Sequence, residues 1–276
     1  MKFGIATFVT DQGIRPDDLG RALEERGFDS LFLAEHSHIP ASRESPYPGG
    51  GDLPDVYYRT LDPFIALTAA AQTTENLLLG TGIALLMQRD VIHTAKEVAS
   101  LDLISRGRAL FGVGAGWNRE EMRDHGTDPR TRGALLNEQL AALKEIWGKE
   151  QAEFHGTHVD FDPMYAWPKP VQKPHPPILI GGESEAALRR LADFGDHWLP
   201  RADTAPAEIT RVRAWLADQG KPEVPVSIFG AGRDTAALDG FAGAGVDRVA
   251  FILGTKPYDE TLRKLDELAG LTQGYR

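Results

Sequence analysis

The residues best suited to chemistry follow a short apolar run in the stretch LFLAEHSHIP, where Glu35, His36 and His38 stand at the end of a predicted strand. Histidine exchanges protons near neutral pH, and a neighbouring carboxylate fixes its tautomer and strengthens it as a base. The pattern therefore indicates acid–base catalysis by His36, with Glu35 as its partner and His38 as a weaker candidate. The alternative is that both histidines are loop residues with local hydrogen bonds.

Three alternating glycines follow another apolar run, in LFGVGAGWNREE at residues 110–121. A dinucleotide fingerprint has the pattern G-x-G-x-x-G directly before a helix, but Trp117 occupies the third glycine position. The next helix is predicted only near Arg130, so the context of a dinucleotide site is missing as well. We instead predict a turn in which Gly114 and Gly116, which lack a Cβ atom, let a flat ligand approach the backbone.

A third stretch, PPILIGGESEAALRRLADFGDHW, predicts a strand that ends at Gly181 and Gly182 and a helix that begins near Ser184. A helix N-terminus presents free N–H groups and a positive dipole end to an anion, which predicts a phosphate site. Glu183 weakens this interpretation unless its side chain turns outward. A plain helix cap by Ser184 would explain half of the pattern.

Composition excludes several classes of function. The 276 residues carry a formal net charge of -10, which argues against nucleic acid as a partner and leaves a small molecule as the expected one. Cysteine is absent, so disulfides, thiolate catalysis and zinc–thiolate sites are excluded. No metal site is expected, because His155 and His158 have no evident third ligand. Neither a signal peptide nor a membrane-spanning run is evident, so we expect a cytoplasmic protein.

The elements that must position these residues alternate between strand and helix. Short apolar runs without polar alternation are typical of parallel strands that are covered on both faces. Eight of them, each followed by a helical segment, predict one α/β domain over 1–276, a (β/α)8 TIM barrel, with an open doubly wound sheet as the rival. Insertions are expected after strand 2, at 36–61, and between strands 4 and 5, where 149–177 begins with a hairpin. The predicted strands lie at roughly 3–9, 30–34, 77–84, 109–113, 178–181, 197–199, 224–229 and 248–253.

Four of these stretches together resemble a known family. In order and spacing, EH with HIP, LGTGI, EVASLDLISRGRALFGVGAGWNREE and PILIGG resemble the bacterial luciferase-like flavin and deazaflavin oxidoreductases. The resemblance is strongest to their actinobacterial branch that depends on coenzyme F420, and it covers residues 1–200 well. It implies a barrel with the cofactor's ring across its C-terminal mouth, and a non-proline cis peptide at or beside Gly82-Ile83-Ala84.

The resemblance also implies roles for individual residues. His36 would be the acid or base, and Glu35 would orient it or contact the ring. Trp117 stands where some deazaflavin dehydrogenases have a proton-donating glutamate, which argues against a sugar-phosphate substrate. Contacts to the ring and its ribityl chain are implied for Gly82, Ile83, Ala84, Gly114, Gly116 and Asn118, and contacts to the phosphate and tail for Gly181, Gly182, Ser184 and Arg201.

The expected function is therefore that of a coenzyme F420-dependent oxidoreductase, which transfers a hydride between the deazaflavin and a small organic substrate. One alternative is an FMN-dependent luciferase-like monooxygenase, since the fold and most cofactor contacts would be shared. Another is a non-enzymatic flavin or deazaflavin binding protein, because a fold does not determine a function. The resemblance further implies a homodimer that forms through barrel helices.

Overall fold

Eight short apolar segments form the parallel strands of a barrel in the computed structural model, which describes residues 1–275. Two further strands form a separate antiparallel hairpin, β5–β6, in the insertion between β4 and β7. In chain order the strands are β1 (Lys2–Thr7), β2 (Ser30–Leu33), β3 (Leu78–Thr81), β4 (Ala109–Val113), β5 (Gln151–His155), β6 (Asp160–Tyr165), β7 (Ile178–Gly181), β8 (His197–Leu199), β9 (Ser227–Ala231) and β10 (Arg248–Leu253).

The pairing of the first and last strands separates a barrel from an open sheet. The hydrogen-bonded order is β8-β7-β4-β3-β2-β1-β10-β9, and every neighbouring pair in it is parallel. The two ends meet where Trp198 bridges to Val226 and Arg201 bridges to Phe229. The sheet therefore closes on itself, which confirms the predicted (β/α)8 barrel and removes the open-sheet alternative.

Nine α-helices lie within residues 1–275, and most begin at signals that are visible in the sequence. Asp62 caps α2 by accepting hydrogen bonds from the backbone N–H groups of Phe64 and Ile65, and Asp90 caps α3 at His93. The helices are α1 (Pro16–Glu25), α2 (Pro63–Ala71), α3 (Val91–Ile104), α4 (Arg119–Asp124), α5 (Arg132–Gly148), α6 (Glu185–Phe194), α7 (Pro206–Asp218), α8 (Thr235–Gly243) and α9 (Tyr258–Thr272).

One prediction about the helices was wrong. The sequence predicted no helix between the glycine turn and Arg130, but α4 begins directly after that turn. Asn118 caps it, since its side-chain oxygen accepts a hydrogen bond from the N–H of Glu121 at 3.3 Å. The helix has only six residues, so it is too short to show the repeating apolar pattern by which helices are recognised.

The core has two parts, as a barrel surrounded by helices requires. A large apolar layer lies between the strands and the helices, with Phe3, Leu31 and Phe111 among its buried members. A smaller cluster fills the barrel interior, and it consists of Ala6, Phe32, Leu110, Leu179, Leu199 and Ala250. Both faces of the strands are therefore buried, which explains the unbroken apolar runs in the sequence.

The two predicted insertions are present. The segment 36–61 is held at its end by a bridge between Thr10 and Thr60 and by an ion pair of Arg59 with Asp11 at 2.8 Å. The β5–β6 hairpin packs against α5, where the Glu138 carboxylate accepts hydrogen bonds from the N–H groups of residues 157–159. Across residues 1–275, none of the helices combines the length and the apolar character that a membrane crossing requires.

Candidate active site

The C-terminal ends of the barrel strands surround a cavity of about 850 Å³, which we call the main cavity. All of the predicted site residues line it except two, Ala84 and Asn118. Ala84 is buried and uses its N–H to bond the carbonyl of Gly112 at 2.7 Å. Asn118 is also buried, and its Nδ2 atom is enclosed without a hydrogen-bond partner. The structure thus places these two residues outside the lining of the main cavity, and the cofactor contacts implied for them stay predictions.

His36 lies in the wall of the main cavity and is held there by Glu121. The Nδ1 atom of His36 is 2.8 Å from Oε2 of Glu121, and the Glu121 side chain is fully buried. Among residues 1–275, no hydrogen bond is formed by the other ring nitrogen, Nε2. The pair thus resembles a base and its orienting carboxylate, with one nitrogen of the base free to meet a substrate.

The charge of Glu121 determines which nitrogen of His36 carries the proton. Burial alone would raise the pKa of Glu121, but its hydrogen bond and charge interaction with His36, and the N–H of Ser37 at 3.0 Å, outweigh burial and lower the pKa. The carboxyl group is therefore ionised at neutral pH and accepts hydrogen bonds only. We infer that Nδ1 of His36 carries the proton, which leaves the lone pair of neutral His36 on Nε2.

Glu35, predicted to orient His36, forms no hydrogen bond with it. Its two carboxylate oxygens bind the N–H of Leu85 at 2.6 Å and Nε of Arg89 at 2.7 Å. Arg89 also pairs with Asp62 and Glu97, so this cation links three acidic side chains. Glu121, and not Glu35, is therefore the carboxylate that orients His36. Glu35 holds the backbone that follows β3.

Aromatic side chains surround His36 on the side of the main cavity. Its ring lies 5.1 Å from that of Tyr57 and 5.7 Å from that of Trp117, and Tyr57 also contacts Phe8 at 4.6 Å. Burial and the neighbouring Tyr47 hydroxyl raise the pKa of Tyr57 far above its usual value, so its phenol is neutral. The ring of His36 therefore packs against aromatic side chains on this side.

Ile83 forms the floor of the main cavity between two glycines. The peptide bond from Gly82 to Ile83 is cis, at the place implied by the resemblance. A Cβ atom on Gly114 would lie 2.1 Å from Cδ1 of Ile83, and one on Gly181 would lie 3.2 Å from its Cγ2. A side chain at position 114 would therefore force Ile83 to shift, which is a reason for glycine there beside the predicted approach of a ligand.

The opposite end of the main cavity has the features of an anion site. It includes the N-terminus of α6, where Gly182 has a φ of +105° and Ser184 caps the helix by accepting a hydrogen bond from Ala187. Arg190 is buried to 6% exposure, and among residues 1–275 its guanidinium bonds only Asn137 and the carbonyl of Gly133.

Within residues 1–275, Arg190 has no carboxylate partner, and burial lowers its pKa. Its buried charge is therefore available to a bound anion. Arg201 also lines this end but is exposed, and its side chain pairs with Asp203 at 3.2 Å. Glu183, whose carboxylate weakened the phosphate prediction, accepts a hydrogen bond from the backbone N–H of Arg201 at 2.7 Å and pairs with Nε of Arg201 at 3.6 Å.

Two residues of this site, Glu121 and Arg190, were missed by sequence reasoning. Glu121 follows the glycine turn on a helix that was not predicted, and nothing local connects it with His36. Arg190 did leave a signal, because it shares the buried face of α6 with Ala187 and Leu191. A cation on the apolar face of an amphipathic helix indicates either a buried ion pair or a bound anion.

The fold and the cavity together define a barrel protein with a ligand site at its mouth, and comparison with known proteins identifies its family. Residues 15–263 match the family described as luciferase-like monooxygenase. An uncharacterised protein of Mycobacterium tuberculosis is 41% identical over 213 residues, which are 76% of this chain and 74% of the relative. The chain belongs to the luciferase-like monooxygenase family, whose members are oxidoreductases and monooxygenases.

Solved structures agree with this fold. The monooxygenase RslO1 from Streptomyces bottropensis has a TM-score of 0.82 at 19% identity and covers 100% of this chain and 99% of its own. An F420-dependent secondary alcohol dehydrogenase, solved with an F420–acetone adduct, has a TM-score of 0.76 at 18% identity and covers 100% of both chains. At these identities the likeness concerns the fold, and the predicted family is confirmed.

Proposed function

We propose that the protein is a coenzyme F420-dependent oxidoreductase that acts on a small organic carbonyl, imine or activated alkene, or on the corresponding reduced compound. The observation that carries this proposal is the His36–Glu121 pair, in which Glu121 holds Nδ1 and leaves Nε2 unbonded on a histidine that lines the main cavity. Reactions that move a hydride to or from a carbon–oxygen or carbon–nitrogen bond also move a proton. A positioned histidine is the side chain best suited to that transfer near neutral pH.

The main cavity fits such a cofactor at both ends. Ile83 and the flanking glycines offer a close, apolar surface to a flat ring, and buried Arg190 with the N-terminus of α6 offers a site for its phosphate. When bound, the deazaflavin supplies the hydride chemistry. His36 would hold or release the proton at Nε2, Glu121 would keep the ring oriented, and Tyr57 with Trp117 would exclude water.

The choice of F420 over FMN rests on a row of arginines beyond the phosphate end. Arg130 and Arg132 line the main cavity and also a neighbouring surface depression, to which Arg119 and Arg123 contribute. Among the described residues, Arg119 and Arg132 have no carboxylate partner, whereas Arg130 pairs with Asp128. FMN ends at its phosphate, while F420 continues into a chain of carboxylates that matches this basic surface.

Fluorescence titration of the purified protein with F420 and with FMN tests the proposal. We expect F420 to bind more tightly, and Arg132→Gln to weaken F420 binding by about tenfold while FMN binding stays unchanged. Arg211→Gln is the control, because Arg211 is exposed on α7 and pairs only with Glu208. Tight FMN binding without F420 binding would overturn the proposal in favour of an FMN-dependent monooxygenase, the activity named by the family.

The same purified protein can be used to decide whether it is an enzyme or a cofactor-binding protein. With F420 bound, we expect its absorbance to change when carbonyl compounds, imines or activated alkenes are added to the reduced form. Binding without any such change across these substrate classes would support a non-enzymatic F420 carrier instead.

A further inference from the structure

His36 lies between two cavities of different character. On one side is the main cavity with its aromatic wall, and on the other is a second, open cavity of about 440 Å³, which we call the rear cavity. The rear cavity is lined mostly by polar and charged side chains, which include Ser37, His125 and Glu97. The same imidazole thus faces a substrate site and a separate hydrated surface.

A continuous series of hydrogen bonds leads from His36 to that surface. Nδ1 of His36 bonds Oε2 of Glu121 at 2.8 Å, and Oε1 of Glu121 lies 3.4 Å from the hydroxyl of Ser37. The Ser37 hydroxyl is 2.7 Å from Nε2 of His125 and 3.0 Å from Nδ1 of His38. Ser37 and His125 are both exposed, so Glu121 is the only fully buried member of the series.

We propose that His36 exchanges its proton with solvent through this series, from His36 to Glu121, Ser37 and His125, and not through the main cavity. A bound cofactor and substrate would fill the main cavity and close that route to water. Holding a histidine tautomer alone needs no more than a backbone carbonyl as acceptor. Burying a carboxylate costs more desolvation free energy than burying a carbonyl group. A carboxylate also has a second oxygen, and in Glu121 that oxygen faces the exposed Ser37.

The relay moves one proton at each step and no electrons. When Nε2 of His36 accepts a proton from the substrate, the Nδ1 proton passes to Oε2 of Glu121. Rotation of the carboxyl group exchanges its two oxygens, and the proton then passes to the Ser37 oxygen while the Ser37 hydroxyl proton passes to Nε2 of His125. His125 releases a proton to water, and His36 is left neutral with its remaining proton on Nε2. The resting tautomer, with the proton on Nδ1, is restored when Nε2 gives its proton to a product, or to water once the main cavity has opened, while the reverse sequence returns a proton from water to Nδ1.

The surroundings of the outer members suit the uptake and release of protons. His38 bonds Asp124 at 2.9 Å, and both side chains are exposed, to 39% and 57%. Two histidines therefore contact the Ser37 hydroxyl at the surface, and Asp124 bonds one of them. The other charged groups of the rear cavity lie outside the series, because Arg89 bonds Glu35, Asp62 and Glu97, and Asp90 bonds His93.

The test uses the cofactor-free protein labelled with 15N-histidine, because the inference rests on the acid–base role proposed for His36 and must be separable from it. NMR measures the rate at which the His36 Nδ1 proton exchanges with water. We expect Ser37→Val, which removes the hydroxyl and fills its space, to slow this exchange by about tenfold or more. Ser37→Thr keeps a hydroxyl and should restore the rate.

Two further variants sharpen the result. His93→Asn alters a histidine that lines the rear cavity but bonds only Asp90, and it should leave the exchange rate unchanged. A double variant, His38→Asn with His125→Asn, should slow the exchange, and added imidazole should restore it because Ser37 is exposed. Equal exchange rates in Ser37→Val and the wild-type protein would overturn the relay. Slow exchange in Ser37→Val together with a failure to bind F420 would refute the proposed function and leave the relay standing.

Discussion

At the scale of single residues, the proposed acid–base unit is the pair of His36 and Glu121, which lie 85 positions apart in the chain. The sequence offered Glu35 as the neighbour of His36, but successive residues at a strand end point in different directions. Glu35 therefore points to Arg89, and the carboxylate that meets His36 arrives from α4. The position of His36 at a strand end identified it correctly as a cavity residue. Adjacency in the sequence could not identify the carboxylate that bonds it.

Replacement of His36 by alanine tests the acid–base role directly. We expect His36→Ala to lower kcat by about 100-fold or more, because a positioned proton donor or acceptor is lost, while the affinity for F420 is unchanged. Steady-state kinetics and fluorescence titration measure the two quantities separately. His93→Ala is the control, since His93 is exposed and bonds only Asp90. Unchanged turnover in His36→Ala would remove this residue from the mechanism.

At the scale of elements, the short helix α4 and the insertion 36–61 hold each other in place. Six residues are too few for a helix to be stable alone, so contacts outside the helix must support it. Glu120 accepts a hydrogen bond from the N–H of Ser45 at 2.5 Å and another from its hydroxyl, and Ser37 bonds Glu121. Burial would raise the pKa of Glu120, but the Ser45 hydrogen bonds lower it. These contacts hold α4 in the position at which the Glu121 carboxylate meets His36.

Helix α6 provides a matched test of the anion site, because it has two adjacent arginines in opposite environments. Arg190 is buried at the main cavity, whereas Arg189 is exposed and, in the part of the chain that the structure describes, pairs only with Glu185. We expect Arg190→Gln to weaken cofactor binding by about tenfold or more, since a hydrogen bond to a charged phosphate is lost, and Arg189→Gln to have no effect. Fluorescence titration measures both affinities. Equal affinities in the two variants would mean that Arg190 serves only the packing against α5.

At the scale of the whole molecule, the barrel was predictable because its signal is repeated eight times along the chain. Strand–helix alternation left an open sheet equally possible, and only the contact of β8 with β9, made by Trp198 and Arg201, distinguishes the two folds. Most predicted cavity residues follow a barrel strand, where geometry brings them to one mouth. Asn118 has a structural role that the sequence analysis did not predict, because it is the cap residue of a helix that was not recognised.

The stability of the whole fold should depend on pH through His197 in β8. Burial and the nearby Arg248 charge lower the pKa of His197 to about 3, against 6.5 in the unfolded chain, and Nε2 bonds the Ser227 hydroxyl at 2.8 Å. Below pH 6.5 the unfolded state binds a proton that the folded state does not, so stability falls as pH falls. Between pH 7 and pH 5 the loss from this residue is about 2 kcal/mol.

Urea unfolding at pH 7 and pH 5 measures this loss. The variant His197→Gln, which does not titrate, should show a correspondingly smaller dependence on pH. His93→Gln should retain the dependence of the wild-type protein, because His93 is exposed. The same pH dependence in His197→Gln and the wild-type protein would show that another group is responsible.

The position of Ile83 has a consequence for the diversification of this barrel. Its side chain lies against Gly114 and Gly181 from two neighbouring strand ends, so a larger residue at either glycine would collide with it. The shape of the main cavity at these strand ends therefore depends on one side chain, which follows β3, whereas His36 follows β2 and Glu121 lies on α4. Shortening residue 83 deepens the site while His36 and Glu121 stay in place, so substrate size and proton chemistry can evolve, or be engineered, independently.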